Sequence, residues 1–391
     1  MMLPRIALVS NYPSDHAAFS TGVETATAAL LEGLRAYQSE FEFHLVTIAR
    51  DLPQDVHEQR DGFWFHFLSI PQSPYLRPRL IFRIARAYRE LRRIGPDLVH
   101  CQDNMALAMA TIASGYPRVF TIHGVKRHEA PKRTGWEFWS ASADALIERF
   151  VHRHFDAFIC ISRYAAGIVG EERLSFAIPN PVRSLFFERH VAESPGDDPY
   201  LLFVGVLAPL KRPADLLKAH IELRREYPNL ETVFCGDVGD AGYSRSMDKV
   251  VAKHGIGGVA FLGRVSQQRL ASLLEGALAL VLPSAQETAP MVIAEAMAVG
   301  VPVVATRVGG TAEMVRHGQT GFLYDVADTG ELTNHLRALL TNPLLREKLG
   351  EKAREVAIAA YSPQSVAAAT TEAYRQLLDQ QTSASSRGMN A

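Results

Sequence analysis

Apolar residues fall along this chain in short unbroken runs, separated by longer stretches in which they recur every three or four positions. The run Arg5–Ser10 reads as a buried strand, and Val23, Leu30, Leu34 and Tyr37 mark one face of a helix over Gly22–Tyr37. Further strand-like runs lie at Phe43–Ala49, Leu98–Gln102, Val119–His123, Phe158–Ser162 and Phe176–Ile178. Runs that are apolar on both faces and alternate with helices predict parallel sheets covered on both sides. The alternation breaks over Ser184–Pro199, a charged segment ending ESPGDDP that reads as a linker. It resumes with runs at Tyr200–Gly205, Thr232–Cys235, Val259–Leu262, Leu278–Leu282 and Pro302–Ala305. The chain thus reads as α/β, with Rossmann-like doubly wound domains over 1–185 and 199–362. The pattern of Ser365–Leu378 predicts a last helix over 363–379 that packs back on the first domain, and the small polar residues 380–391 predict a disordered tail.

Composition agrees with this outline and narrows the compartment. A length of 391 residues suits two or three domains of ~150 residues. The formal net charge of −1 gives no overall attraction to nucleic acid, so no nucleic-acid partner is expected. Cys101, Cys160 and Cys235 each sit in an apolar run, without metal-ligand spacing, and read as buried reduced thiols. The apolar run near Met1 is too short for a signal-peptide core, and no run reaches the ~18–20 apolar residues of a membrane span. The expectation is a cytoplasmic enzyme.

Candidate chemistry concentrates in Leu282–Glu313, LPSAQETAPMVIAEAMAVGVPVVATRVGGTAE. A strand ends near Pro283, a loop carries Glu287, and a helix follows from about Pro290, placed at its first position, to Val299. Glu295 shares a helix face with Met291, Val292 and Val299, where a carboxylate is costly unless hydrogen-bonded or paired. Two partners are open to it, the ribose hydroxyls of a nucleotide or the side chain of Arg307. Glu287, on the preceding loop, is placed to accept from sugar hydroxyls. The helix start at Pro290, Met291 and Val292 offers free N–H groups and a positive dipole end to a pyrophosphate. Gly309-Gly310 supplies a turn where backbone can approach a ligand.

This segment resembles the donor-binding signature of the family-4 retaining glycosyltransferases, in which two glutamates with seven residues between them precede a Gly-Gly-x-x-Glu turn. The matching residues are Glu287, Glu295, Gly309, Gly310 and Glu313, and the similarity extends from TGVETATAALLEGL to the final AYRQLL. The resemblance implies the GT-B architecture, two facing Rossmann-like domains with a cleft between them, the first for the acceptor and the second for the donor. It implies that Lys211 meets the donor phosphates, that the backbone at Gly22 reaches the diphosphate, and that His123 lines the donor sugar. Arg264 is placed against the base. The implied activity is retaining transfer of a hexose from a UDP- or GDP-sugar to a hydroxyl of a saccharide or lipid-linked saccharide, in glycan or polysaccharide synthesis. No metal and no cofactor other than the nucleotide-sugar substrate are implied.

The chain departs from the family pattern at four places. Val206 stands where an arginine usually follows the strand-end glycine, Thr21 replaces the first glycine of a pair, Pro290 replaces a glycine, and Gln102 replaces a histidine. Arg212 is the expected substitute for the missing cation. The alternative is a catalytically weak or silent nucleotide-sugar-binding subunit. A dinucleotide oxidoreductase is disfavoured because no G-x-G-x-x-G follows the first strand; an epimerase or phosphorylase on the same fold is a further alternative. For the acceptor side, Arg77, Arg79, Arg83, Arg86, Arg89, Arg92 and Arg93 surround a single acid, Glu90, with Leu80, Ile84, Tyr88 and Leu91 toward another face. This reads either as a solvated helix or as a peripheral contact with the anionic inner membrane face. The basic, aromatic stretch Lys126–Arg153, with Trp136, Phe138 and Trp139, reads as an acceptor or membrane-touching loop.

Overall fold

The structure, a computed structural model, describes residues 2–16, 19–49, 51–70, 79–102, 104–124, 149–170, 172–193, 199–255 and 257–388. They divide into two compact units, one running through Pro181 and resuming at Pro363, the other Val182–Ser362.

In the first unit, strands β1 (Arg5–Val9), β2 (Glu42–Ala49), β3 (Val56–Arg60), β4 (Phe63–Ser69), β5 (Leu98–Gln102), β6 (Arg118–Ile122), β7 (Ala157–Cys160) and β8 (Ser175–Ala177) form one sheet. Its order is β3-β4-β2-β1-β5-β6-β7-β8, parallel except for the β3–β4 hairpin. That hairpin turns at Asp61-Gly62, both with positive φ (52° and 82°), as a two-residue hairpin loop requires. Helices α1 (Gly22–Leu34), α2 (Arg79–Ile94), α3 (Met105–Ser114) and α4 (Arg163–Val169) alternate with the strands. The core joins Ile6, Leu8, Leu30, Leu34, Phe43 and Phe65 to Val366 and Tyr374 of a last helix, α12 (Pro363–Gly388).

Helix α12 packs on α1, where Gly33 lets the Pro363 carbonyl come so close that a Cβ would lie 2.0 Å from its oxygen. Arg375 adds a two-point ion pair to Glu40 at 2.6 and 2.7 Å. The helix continues to Gly388, where the sequence predicts a disordered tail from Gln380; once nucleated, a helix extends cheaply through Gln, Ala and Ser.

The second unit holds β9 (Tyr200–Val204), β10 (Glu231–Cys235), β11 (Val259–Gly263), β12 (Ala279–Leu282), β13 (Val303–Thr306) and β14 (Gly321–Tyr324), all parallel in the order β11-β10-β9-β12-β13-β14. Its helices are α5 (Pro213–Leu223), α6 (Ala241–His254), α7 (Gln267–Gly276), α8 (Met291–Val299), α9 (Thr311–Met314), α10 (Thr329–Thr341) and α11 (Pro343–Tyr361). Val182 and Phe186 are fully buried in this core, so the segment that the sequence divides between the first domain and a linker already belongs to the second unit. The strand order reverses between β9 and β12. The loops after those strands are where a doubly wound sheet holds a ligand.

The three cysteines are buried and in no disulfide, and burial pushes the Cys160 and Cys235 thiols up to about 11 and about 12. No described helix is long and apolar enough to cross a membrane.

Candidate active site

Three loops at the carboxyl ends of neighbouring strands meet in the second unit. The loop after β9 carries Lys211 and Arg212, the loop after β12 carries Ser284 and Glu287, and the turn after β13 carries Gly309 and Gly310. Backbone bonds tie them together: Ala285 N–H donates to the Leu210 carbonyl at 2.8 Å, and Gly310 N–H donates to the Glu287 carbonyl at 3.2 Å. Gly309 has φ +45°, and a Cβ there would lie 1.9 Å from the Glu287 carbonyl oxygen. The backbone that approaches Gly309 so closely is the protein's own Glu287 loop.

Glu287 is 8% exposed, and its Oε1 accepts from Lys211 Nζ at 2.7 Å and from Ser284 Oγ at 2.6 Å. The sequence assigns Lys211 and Glu287 to different parts of a ligand; the fold makes them an ion pair. A buried carboxylate needs such a partner, and a flexible ammonium can exchange it for a phosphate oxygen. Ser284, three residues before Glu287, was not singled out from sequence.

Glu295 is different. It is 5% exposed and has no hydrogen-bond or ion-pair partner among the described residues. Arg307 lies elsewhere, 3.7 Å from Asp325 and 3.4 Å from the Leu323 carbonyl, which closes the salt-bridge option. Burial pushes the Glu295 carboxyl up to about 7. A carboxylate kept unpaired inside a protein is a feature of sites that wait for a ligand.

The helix starts sort in the same way. In this unit α6, α7, α10 and α11 begin on capping side chains (Asp240, Ser266, Asp328 and Asn342), whereas α5, α8 and α9 begin on Arg212, Pro290 and Gly310 without a side-chain cap. Those three are the helices that start at the candidate site. Pro290 is the N-cap of α8, with ψ 120°, and not its first helical residue as the sequence suggests. The Met291 and Val292 N–H groups have no partner among the described residues, so the positive end of α8 is open.

Arg212, the expected substitute for the missing arginine, is paired with a carboxylate of its own helix. It occupies the left-handed region (φ 50°), and its Nε and Nη2 each lie 2.7 Å from Oδ2 of the buried Asp215, which Lys218 also contacts at 3.2 Å. One carboxylate is thus shared by two cations. Val206 is 43% exposed and contributes no charge. Arg264, after β11, pairs with Asp237, after β10, with Nε 3.0 Å from Oδ2, and holds that carboxyl below the usual range.

In the first unit, Gly22 opens α1 behind a capping box in which the Thr21 hydroxyl accepts from Glu24 N–H and Glu24 accepts from the Thr21 N–H. The Gly22 and Val23 N–H groups remain without a partner among the described residues. His123 follows β6, and its Nε2 donates to Gln102 Oε1 at 2.5 Å; burial pushes His123 down to about 4, so it is neutral. Gln102, a departure from the family pattern, is therefore the group that orients His123. His100 is structural, linking Tyr374 and Thr121 at 2.6 Å each. Trp136, Phe138, Trp139 and Arg77 lie outside the described residues.

Residues 20–183 match the family described as Glycosyltransferase Family 4, and residues 186–356 match Glycosyl transferases group 1. A D-inositol 3-phosphate glycosyltransferase of Pseudarthrobacter chlorophenolicus is 32% identical over 330 residues, covering 77% of each chain. Among solved structures, the fold is similar to a sucrose-phosphate synthase of Thermosynechococcus elongatus (TM-score 0.79, 20% identity, 96% of this chain and 100% of that one). It is also similar to Anabaena HepE in complex with UDP-glucose (TM-score 0.69, 18% identity, 97% and 99%).

Proposed function

Because the chain belongs to the family-4-type glycosyltransferases of GT-B fold, we propose that it transfers a hexose from a UDP- or GDP-sugar to a hydroxyl of a saccharide or lipid-linked saccharide, retaining the anomeric configuration and using no metal ion. The observation that carries this reading is Glu295, an unpaired carboxylate at 5% exposure on a helix whose start is open. Ribose offers two adjacent hydroxyls, and a carboxylate can accept from both at once. UDP is the favoured donor nucleotide, since HepE structures of the same fold hold UDP and UDP-glucose.

The remaining roles follow from the contacts. The Met291 and Val292 N–H groups bind diphosphate oxygens at the positive end of α8. Lys211 moves from Glu287 to the leaving phosphate, where its charge offsets the negative charge that develops as the sugar departs. Glu287, released from the ammonium, accepts from hydroxyls of the donor sugar. No candidate carboxylate nucleophile stands out in the matched motifs, whereas retaining hydrolases depend on a close carboxylate pair. The acceptor oxygen therefore forms its bond to the anomeric carbon on the face that the diphosphate leaves. The acceptor's proton passes to the departing phosphate oxygen.

One observation favours a second reading. With Val206 uncharged and Arg212 tied to Asp215, the cluster offers Lys211 as the cation for the diphosphate, which suits a subunit that binds a nucleotide sugar without turning it over. A panel of UDP- and GDP-sugars, with and without saccharide acceptors, separates the two. Transfer or donor hydrolysis that falls at least a hundredfold in Glu287→Ala supports the enzyme. Tight donor binding with no turnover supports the silent subunit, and an active Glu287→Ala refutes the site assignment.

A further inference from the structure

Away from the donor residues, β3, β4 and α2 bring three side chains to one point. His57 lies opposite His66 in the antiparallel hairpin, and Glu90 projects onto both from the inner face of α2. His57 Nδ1 is 3.0 Å from His66 Nδ1, His66 Nδ1 is 2.8 Å from Glu90 Oε1, and His57 Nδ1 is 3.7 Å from Glu90 Oε1. Ligand atoms bound at about 2.0–2.1 Å to one ion stand roughly 2.9–3.4 Å apart at octahedral or tetrahedral angles. Two edges, 3.0 and 2.8 Å, are close to that spacing, and the third, 3.7 Å, closes to it when the half-exposed His57 ring shifts by about 0.3 Å.

The hydrogens make the case stronger. Glu42 Oε1 lies 2.8 Å from His44 Nε2 and can only accept, so a neutral His44 carries its hydrogen there and keeps its lone pair on Nδ1. That lone pair faces His66 Nε2 at 3.0 Å, so His66 donates from Nε2 and presents Nδ1 to Glu90. The Glu90 carboxylate, 2.8 Å from His66 Nδ1, is satisfied when the imidazole carries a proton there or when positive charge stands beside both. Positive charge does: Arg93 Nη2 is 2.5 Å from Glu90 Oε1, 3.2 Å from His57 Nδ1 and 3.3 Å from His66 Nδ1. The same three atoms already hold a cation. The Arg93 and His57 side chains are 59% and 37% exposed, so the guanidinium can turn outward and leave the outer face to water.

We propose that His57, His66 and Glu90 bind a divalent transition-metal ion of the zinc class, with Arg93 displaced and solvent completing the shell. The chain Glu42–His44–His66, anchored by Arg5 at 3.2 Å from Glu42, supplies the outer hydrogen bonds that fix a metal-bound imidazole. The ion fastens the edge hairpin to α2, the helix that exposes Leu80, Ile81 and Phe82. It plays no part in sugar transfer, so the proposal stands or falls separately from the activity.

The test is metal binding by the full chain. Protein stripped with a chelator is titrated with Co2+, read by its visible ligand-field absorption, and with Zn2+ in competition with a chromogenic chelator. His57→Ala and Arg93→Ala alter exposed side chains, and circular dichroism checks that both variants fold. Expected are one tight equivalent in the wild type, at least tenfold weaker binding in His57→Ala, and tighter binding in Arg93→Ala, where the competing cation is gone. Equal affinity in wild type and His57→Ala overturns the site, and weaker binding in Arg93→Ala overturns the role given to the guanidinium.

Discussion

Replacing Glu295 by glutamine separates a ligand-binding carboxylate from a structural one, because stability and binding should move in opposite directions. In the unfolded chain this carboxyl ionises near 4.5, and in the native protein near 7. Between those values the native state keeps a proton that the unfolded state has lost, so stability falls as pH rises through this window. Above about pH 7 the native state carries the whole cost of a buried, unpaired charge, about 3 kcal/mol at 1.36 kcal/mol per unit. Glu295→Gln removes that cost. At pH 8 the variant should be more stable than the wild type by up to about 3 kcal/mol. For a unit of about 180 residues, spanning Val182–Ser362, this corresponds to at most about 6–12 °C in melting temperature. Near pH 4 the gain should vanish.

The amide has one accepting oxygen and no charge, so UDP should bind roughly 10–100-fold more weakly, the equivalent of one charge-assisted hydrogen bond of about 1.5–3 kcal/mol. Denaturant melts at pH 4 and pH 8, with calorimetric titration of UDP, measure both quantities. A variant less stable than the wild type at pH 8 would mean that Glu295 has a protein partner. An unchanged UDP affinity would remove it from the donor site.

Two further outcomes follow from the geometry. Gly309→Ala puts a Cβ 1.9 Å from the Glu287 carbonyl at φ +45°, so it should cost about 1–3 kcal/mol of stability and move the Glu287 loop. Transfer should fall further than UDP binding; a fully active Gly309→Ala would show that the Glu287 loop need not be held in place. Helix α2, with Leu80, Ile81 and Phe82 exposed beside arginines, should bring the protein down with anionic vesicles at low salt and release it at high salt. No sedimentation at low salt refutes a membrane contact through this helix. Its buried residues are Ala87, Glu90, Leu91 and Ile94, whereas Leu80 and Tyr88, which the sequence groups with an apolar face, are exposed.

Most of the parallel strands were legible because they are unbroken apolar runs. Leu98–Gln102 is placed to the residue, and most others shift by one or two positions at an end. The edge strand of the hairpin β3–β4, VHEQR, is polar and gives no apolar run; the aromatic run FWFHFLS of β4 and the Asp61-Gly62 turn were the available signals. Strand β14 is four residues long and begins on a glycine that a pattern reader takes for a turn.

For the site, local sequence determined the types and spacing of residues. Glu287, Glu295, the open start of α8 and the glycine turn all lie within one segment, and their chemistry can be read from it. Tertiary structure decided who meets whom. Lys211 and Glu287 are 76 positions apart, and their pairing depends on two strand ends lying side by side in a parallel sheet. The fold also sets Gln102 against His123 and leaves Glu295 without a partner among the described residues. Whether a buried charge is paired depends on every element packed around it, and no single stretch of chain contains that information.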